Sequence, residues 1–205
     1  MSFFLSQVVT LGERAEAGAN PPVNVMIFCE LIDFSSFAWS YASGVRITTP
    51  VTYAAPPQPG ADGKGQPTQQ TFNLMTDAEG NVTECQHANL FFTKDGRIKL
   101  PSRRSVLPGI SMEAVLELAE SLEIPVDEGD YSTYDVYLSD EAFISSTGFC
   151  ILPVATINGM ALGSELPGVV TKRVIQAWCD LVGVDFVGQA LKRLPVEGIA
   201  VSSEG

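Results

Sequence analysis

Two consecutive hairpin patterns between Phe72 and Pro101 constrain the fold of this 205-residue chain more than any other feature. The first, FNLMTDAEGNVTE, is interrupted by turn residues at 78–80, and the second, ANLFFTKDGRIKLP, by Asp95-Gly96. An Asp-Gly pair between two apolar runs is a strong signal for a tight turn between antiparallel strands. We therefore expect two adjacent β-hairpins here.

Helical periodicity follows the hairpins. Residues 111–122 and 167–183 repeat apolar side chains at a spacing of three or four, and Gly183 is the expected end of the second helix. The predicted apolar faces consist of Met112, Val115, Leu116, Ala119 and Leu122 in the first helix, and of Val170, Val174, Trp178 and Leu181 in the second.

The other segments complete an α+β pattern. Strands are predicted over 23–32, 44–54 and 124–126, and a short helix in TYDVYLSDEA precedes a strand over AFISSTGFCILPVATING that Ser-Ser-Thr-Gly interrupts. Residues 1–22 are expected to be a loosely structured lead-in, and 56–70 a Pro/Gly-rich linker. Strands followed by alternating strands and helices predict an α+β fold, an α/β sandwich with a largely antiparallel sheet.

Charge and composition exclude several classes of function. The net charge is −12 with no basic cluster, which argues against nucleic acid and anionic membrane surfaces as partners. No apolar run has the length of a membrane span, and no signal peptide is recognisable, so a cytoplasmic location is expected. The four cysteines are far apart and there is one histidine, so we expect reduced, mostly buried thiols and no zinc site.

Three short polar elements stand where apolar strands are predicted to end: Thr83-Glu84, residues 107–111 (LPGIS) and residues 145–148 (SSTG). The second opens a helix, where free N–H groups favour an anion such as phosphate, and Ser111 can cap the helix or donate to a ligand. Each element also has a plain structural interpretation, as a surface charge, a helix start and a bulge. His87 is interpreted as a packed or edge histidine.

The order of the motifs resembles a known family. D-x-x-G-x-V-T-E, A-N-L-F, K-D-G, L-P-G-I-S, D-E-A-F, S-S-T, P-V, I-N-G and P-G-x-V-T-K-R occur in this order over residues 72–189. This set resembles the C-terminal domain of class IV aminotransferases, enzymes that use pyridoxal 5′-phosphate. The resemblance implies a mostly antiparallel sheet or pseudo-barrel flanked by helices over 71–205, with 1–70 as a remnant of the N-terminal domain and a linker.

The resemblance also implies roles for individual residues. Glu84 matches the partner of the pyridine nitrogen, and Lys64 is the candidate for the Schiff-base lysine. The residues that match the helix-entry phosphate cradle are Leu107, Gly109, Ile110 and Ser111. The residues that match the second loop, which contacts the phosphate and the substrate carboxylate, are Ser146, Thr147 and Gly148.

The expected activity is transfer of an amino group between an amino acid, with branched-chain types favoured, and a 2-oxo acid, in a homodimer. The alternatives are a non-catalytic fragment or paralogue and a lyase similar to aminodeoxychorismate lyase. Three departures from the family pattern favour the fragment or paralogue. Lys64 lies only 84 − 64 = 20 positions before Glu84, Met112 replaces a usual arginine, and the segment before Phe72 is short.

Overall fold

The computed structural model describes residues 3–11, 23–32, 34–49 and 69–194. The chain divides into two compact units, Met1–Asp33 and Phe34–Gly205. The predicted boundary near residue 70, between an N-terminal remnant and a C-terminal domain, stays a prediction. Within the described residues, no helix is long and apolar enough to cross a membrane.

The first unit contains an antiparallel pair of strands, β1 (Phe3–Leu11) and β2 (Val23–Leu31), paired along their full lengths. The prediction of β2 is confirmed. The prediction of a loosely structured segment at 1–22 is wrong for residues 3–11, because their β-branched and aromatic side chains suit an extended strand that finds a partner in β2.

The second unit is built on one mixed sheet, whose strands are β3 (Val45–Thr48), β4 (Thr71–Thr76), β5 (Val82–Cys85), β6 (Asn89–Lys94), β7 (Arg97–Pro101), β8 (Val126–Gly129), β9 (Glu141–Ser146), β10 (Cys150–Ile157) and β11 (Met160–Ala161). Their order in the sheet is β5-β4-β3-β10-β9-β6-β7-β8, with β11 paired to β10. Three neighbouring pairs, β3–β4, β3–β10 and β7–β8, are parallel, and the others are antiparallel. Both predicted hairpins, β4–β5 and β6–β7, are confirmed.

Helices flank this sheet. They are α1 (Ala38–Ser43), α2 (Ile110–Ser121), α3 (Thr133–Tyr137), α4 (Val169–Val182) and α5 (Phe186–Leu191), with short 3-10 turns at Phe34–Phe37 and Arg103–Ser105. Gly183 ends α4 in the left-handed conformation, with φ +65°, as predicted. The predicted strand at 124–126 is displaced, since β8 begins at Val126.

The two ends of the sheet meet. The N–H of Val82, at the start of β5, donates to the carbonyl oxygen of Tyr131, which follows β8, across 2.7 Å. Asn81 and Ser132 form an antiparallel bridge beside it. The sheet therefore curls into a pseudo-barrel, and the predicted α+β fold is confirmed.

The core includes buried residues of the sheet and of helices α1, α2, α4 and α5. Phe91 of β6 and Phe143 of β9 are fully buried and stack at 5.0 Å between ring centroids. In α4 the predicted face is confirmed for Val170, Val174 and Trp178, but the Leu181 side chain is 65% exposed. Sequence periodicity shows which side of a helix a residue lies on, but it does not show how far along the helix the neighbouring elements extend to cover that side.

The apolar face of α2 is also only partly as predicted. Met112, Val115 and Ala119 are buried as predicted, whereas Leu116 and Leu122 are half-buried. Leu118, which was not part of the predicted face, is also buried. The four thiols, predicted to be mostly buried, are also mixed in exposure: Cys85 and Cys179 are buried, Cys150 is half-buried and Cys29 is exposed.

Candidate functional site

A cavity of about 390 Å³ lies where the β5–β6 turn, the start of α2 and the end of β9 come together. Its walls are formed by Glu84, His87, Ala88, Asn89, Leu107, Gly109, Ile110, Ser111, Ser145, Ser146 and Thr147. The three polar elements that the sequence offered separately thus share one cavity. Gly148 lies in the β9–β10 turn, outside this set, and Lys64 lies outside the described residues.

The carboxylate of Glu84 is fixed through one of its oxygens. Oε2 accepts the backbone N–H of Leu107 at 3.0 Å and the side-chain amide of Asn89 at 3.1 Å. Among the described residues, Oε1 accepts no hydrogen bond. The carboxylate therefore has a set orientation and one oxygen that can receive a charged N–H donor.

Asn89 joins the β5–β6 turn to the segment before α2. Its side chain is 6% exposed, and its Nδ2 donates both to Glu84 and to the carbonyl oxygen of Leu107, at 2.9 Å. Sequence analysis did not identify this residue as part of the site. The available signal was an amide at the start of an otherwise apolar strand, where a buried polar group needs partners.

Gly109 lets the start of α2 approach this amide. A Cβ at position 109 would lie 2.4 Å from Oδ1 of Asn89, closer than real Cβ contacts allow. A side chain at position 109 would therefore displace the Asn89 amide, whereas the φ of −74° at Gly109 is itself open to any residue.

The first turn of α2 faces the cavity with free backbone donors. Gly109 is the N-cap, no side chain caps the helix, and Ile110 and Ser111 line the cavity. Ser111 is the second residue of the helix and does not cap it, which leaves its hydroxyl for a ligand. Uncapped N–H groups and the positive end of the helix dipole together favour an anion.

The end of β9 adds hydroxyl groups to the cavity wall. Ser146 is half-buried and Thr147 is exposed, both at the cavity wall. Ser145 is 1% exposed and also lines the cavity, yet its Oγ has no hydrogen-bond partner among the described residues. Ser145 belongs to the SSTG element, whose row of hydroxyls suits phosphate oxygens, but the family resemblance implies a role only for Ser146, Thr147 and Gly148.

His87, the chain's only histidine, also lines the cavity. It lies in the β5–β6 turn with φ +66° and an exposed side chain, so it is not a packed histidine. Glu84 is the only carboxylate among the lining residues, and no lysine or arginine of the described chain is one of them.

Cys85, next to Glu84, is not a nucleophile. It is fully buried, and burial, with the adjacent Glu84 charge, raises the pKa of its thiol to about 12. The thiol therefore stays protonated at neutral pH. Within the described residues, no group of three or more histidines, cysteines and carboxylates is placed to hold a metal ion.

Comparison with known proteins gives consistent matches. A family model described as amino-transferase class IV matches residues 66–157. The branched-chain-amino-acid aminotransferase of Escherichia coli K12 is 39% identical over 109 residues, which are 53% of this chain and 35% of the relative. A probable branched-chain-amino-acid aminotransferase of Thermotoga maritima is 35% identical over 104 residues, 50% of this chain and 38% of the relative. The chain thus spans about a third of the length of the curated relatives it matches.

Solved structures show the same fold. The crystal structure of the Escherichia coli branched-chain amino acid aminotransferase aligns with a TM-score of 0.68 at 29% identity, over 87% of this chain and 64% of that one. The branched-chain aminotransferase of Thermoproteus uzoniensis, solved with norvaline, aligns with a TM-score of 0.69 at 20% identity, over 93% and 67%.

Proposed function

We propose that this chain is a member of the class IV aminotransferase family, whose model matches residues 66–157, that its cavity binds pyridoxal 5′-phosphate, and that it transfers an amino group between an amino acid and a 2-oxo acid. Branched-chain amino acids are the favoured substrates, since the relatives named above are branched-chain aminotransferases. The observation that carries the proposal is the convergence of Glu84, the start of α2 and the end of β9 on one cavity.

The donors and acceptors of the cavity fit this cofactor. When bound, the pyridine ring serves as an electron sink for the substrate's α-carbon. Oε1 of Glu84, which accepts no hydrogen bond from the described residues, is suited to keep a ring nitrogen protonated, because its carboxylate is already oriented by Leu107 and Asn89. Sequence and structure therefore support the same role for Glu84.

The phosphate would lie at the first turn of α2. The backbone N–H groups of Ile110 and Ser111 and the Ser111 hydroxyl provide donors there, beside the close approach that Gly109 permits. The hydroxyls of Ser146 and Thr147 provide further donors, and Gly148 in the adjacent turn leaves open space for a substrate carboxylate.

Lys64 is the proposed nucleophile that links the cofactor to the protein. It is outside the described residues, so its assignment rests on the sequence alone. The match to branched-chain aminotransferases favours transamination over a lyase or a non-catalytic role. Homodimer formation and a cytoplasmic location also stay predictions.

The proposal is tested with purified protein and pyridoxal 5′-phosphate. We expect a new absorption band, which borohydride reduction fixes on the peptide that contains Lys64. Lys64→Ala should abolish the fixed adduct, whereas Lys192→Ala, which changes an exposed lysine on the surface, should keep it. Transfer of the amino group from leucine to 2-oxoglutarate should accompany the band. A protein that binds no cofactor, or binds it without transfer, contradicts the proposed activity.

A further inference from the structure

Ser145 carries a hydroxyl that no described residue pairs with. The residue is 1% exposed, and its Oγ has no hydrogen-bond partner in the described chain. A hydroxyl buried without a partner destabilises a folded protein, because it gives up its hydrogen bonds to water and gains none. Such a group calls for a specific explanation.

The position of Ser145 supplies that explanation. It lines the proposed cofactor cavity, and in the β6–β9 pairing it lies directly opposite Asn89. Directly paired residues of neighbouring strands present their side chains on the same face of the sheet. Ser145 therefore lies beside Asn89, whose side-chain amide orients Glu84, at the wall of the cavity that a ligand would fill.

We propose that Ser145 is a further cofactor-binding residue, whose hydroxyl has no partner among the described residues and forms a hydrogen bond with the molecule that fills the cavity. This inference rests on the proposed function. A rotation about the Cα–Cβ bond reorients a serine hydroxyl at small cost, and the hydroxyl can donate as well as accept. The bound group then satisfies a polar atom that the described part of the chain leaves without a partner.

Two measurements with opposite signs test this inference. In Ser145→Ala the thermal midpoint of the unliganded protein should rise by about 2–4 °C, because the unpaired hydroxyl is removed. Its affinity for pyridoxamine 5′-phosphate should fall about tenfold by titration calorimetry, because the bond to the ligand is lost. This ligand has no aldehyde, so its binding does not depend on Lys64.

Thr156 offers a matched control. Its Oγ1 is also buried without a partner, but it does not line the cavity. Thr156→Val should therefore raise the midpoint as Ser145→Ala does and leave the affinity unchanged. If Ser145→Ala does not fold, Ser145→Cys replaces it, and its weaker S–H donor should lower the affinity by a smaller factor.

The outcomes separate this inference from the proposed function. Equal affinity in wild type and Ser145→Ala overturns the inference alone. A lower midpoint in unliganded Ser145→Ala also overturns it, since the hydroxyl is then satisfied in the free protein by water. No binding by wild type overturns the proposed function and the inference with it. Pyridoxamine has the same ring but no phosphate, so repeating the titration with it locates the bond. If Ser145→Ala also weakens binding of pyridoxamine, the hydroxyl bonds to the ring. If the two proteins bind pyridoxamine equally, it bonds to the phosphate.

Discussion

Asn89 holds Glu84 in place: its side-chain amide donates to Oε2 of the carboxylate across 3.1 Å, and the same amide donates to the Leu107 carbonyl oxygen across 2.9 Å. The N–H of Leu107 in turn donates to the same Oε2 at 3.0 Å. These bonds connect the β5–β6 turn with the segment that leads into α2. The proposed ring-nitrogen partner and the proposed phosphate cradle are therefore parts of one network.

A double-mutant cycle should show this coupling. We expect Glu84→Gln to weaken binding of pyridoxamine 5′-phosphate by about 10- to 100-fold, as for loss of a hydrogen bond to a charged group, and Asn89→Ala by about tenfold through loss of orientation. The double variant should bind little worse than Glu84→Gln alone, because both changes remove one network. Calorimetry measures each affinity, with Glu117→Gln, an exposed change on α2, as control. Strictly additive losses would show that Asn89 acts independently of Glu84.

The site could be predicted from the sequence as far as local patterns determine it. Glu84, Gly109 and Ser146 stand at strand ends or at a helix start, and turn and capping patterns mark those places. Asn89 and Ser145 could not be assigned to the candidate site, because their proposed roles depend on the β6–β9 register that places them opposite each other. Register is set by tertiary packing, which a single sequence shows only indirectly.

The fold shows the same division. The two hairpins and the ends of α2 and α4 follow from residues near in sequence. The strand β1 and the exposed Leu181 do not, because each depends on whether a distant element provides a partner. The parallel pairing of β3 with β4 and β10 likewise joins segments far apart in the chain.

Glu141, in the D-E-A-F motif, should be essential for stability. Its buried carboxylate accepts the backbone N–H groups of Val170 and Thr171, at 2.8 and 2.9 Å, and the Thr171 hydroxyl at 2.6 Å. Glu141, in β9, thus provides hydrogen-bond acceptors for the free N–H groups at the N-terminus of α4. Glu141→Gln should lower the free energy of unfolding by about 1.5–3 kcal/mol, since the charge and one acceptor are lost.

Urea unfolding measures the effect of Glu141→Gln. Glu165→Gln is the control, because Glu165 forms an exposed ion pair with Lys172 and exposed pairs contribute little. Thr171→Ser should stay close to wild type, whereas Thr171→Val should lose stability. Equal unfolding curves for Glu141→Gln and wild type would mean that the helix end is satisfied in another way.

Asp127 should make stability depend on acid pH. Hydrogen bonds from Arg97 and then Lys99 hold the pKa of its carboxyl well below the usual range. Because the carboxyl is more acidic in the folded than in the unfolded chain, its stabilising contribution is complete above about pH 4 and is lost as the pH falls further.

Asp127→Asn should therefore be less stable than wild type at pH 7, and the two should converge as the pH falls below about 4. Thermal midpoints at pH 7, 5 and 3 measure this difference. Asp130→Asn removes an exposed ion pair with Arg104 and should change the midpoint little. A difference between Asp127→Asn and wild type that is constant over this pH range would contradict the assignment.

His87 should report directly on the cavity. It is the chain's only histidine and lies at the cavity wall with Glu84, so the imidazole C–H signals in a proton NMR spectrum belong to it without assignment by mutation. Saturation with pyridoxamine 5′-phosphate should shift these signals, because a ring and a phosphate alter the local field and charge. His87→Gln should remove the signals and confirm their origin. If calorimetry shows binding while the signals do not move, the ligand occupies a different place, and the cavity formed by the β5–β6 turn, α2 and β9 is not the cofactor site.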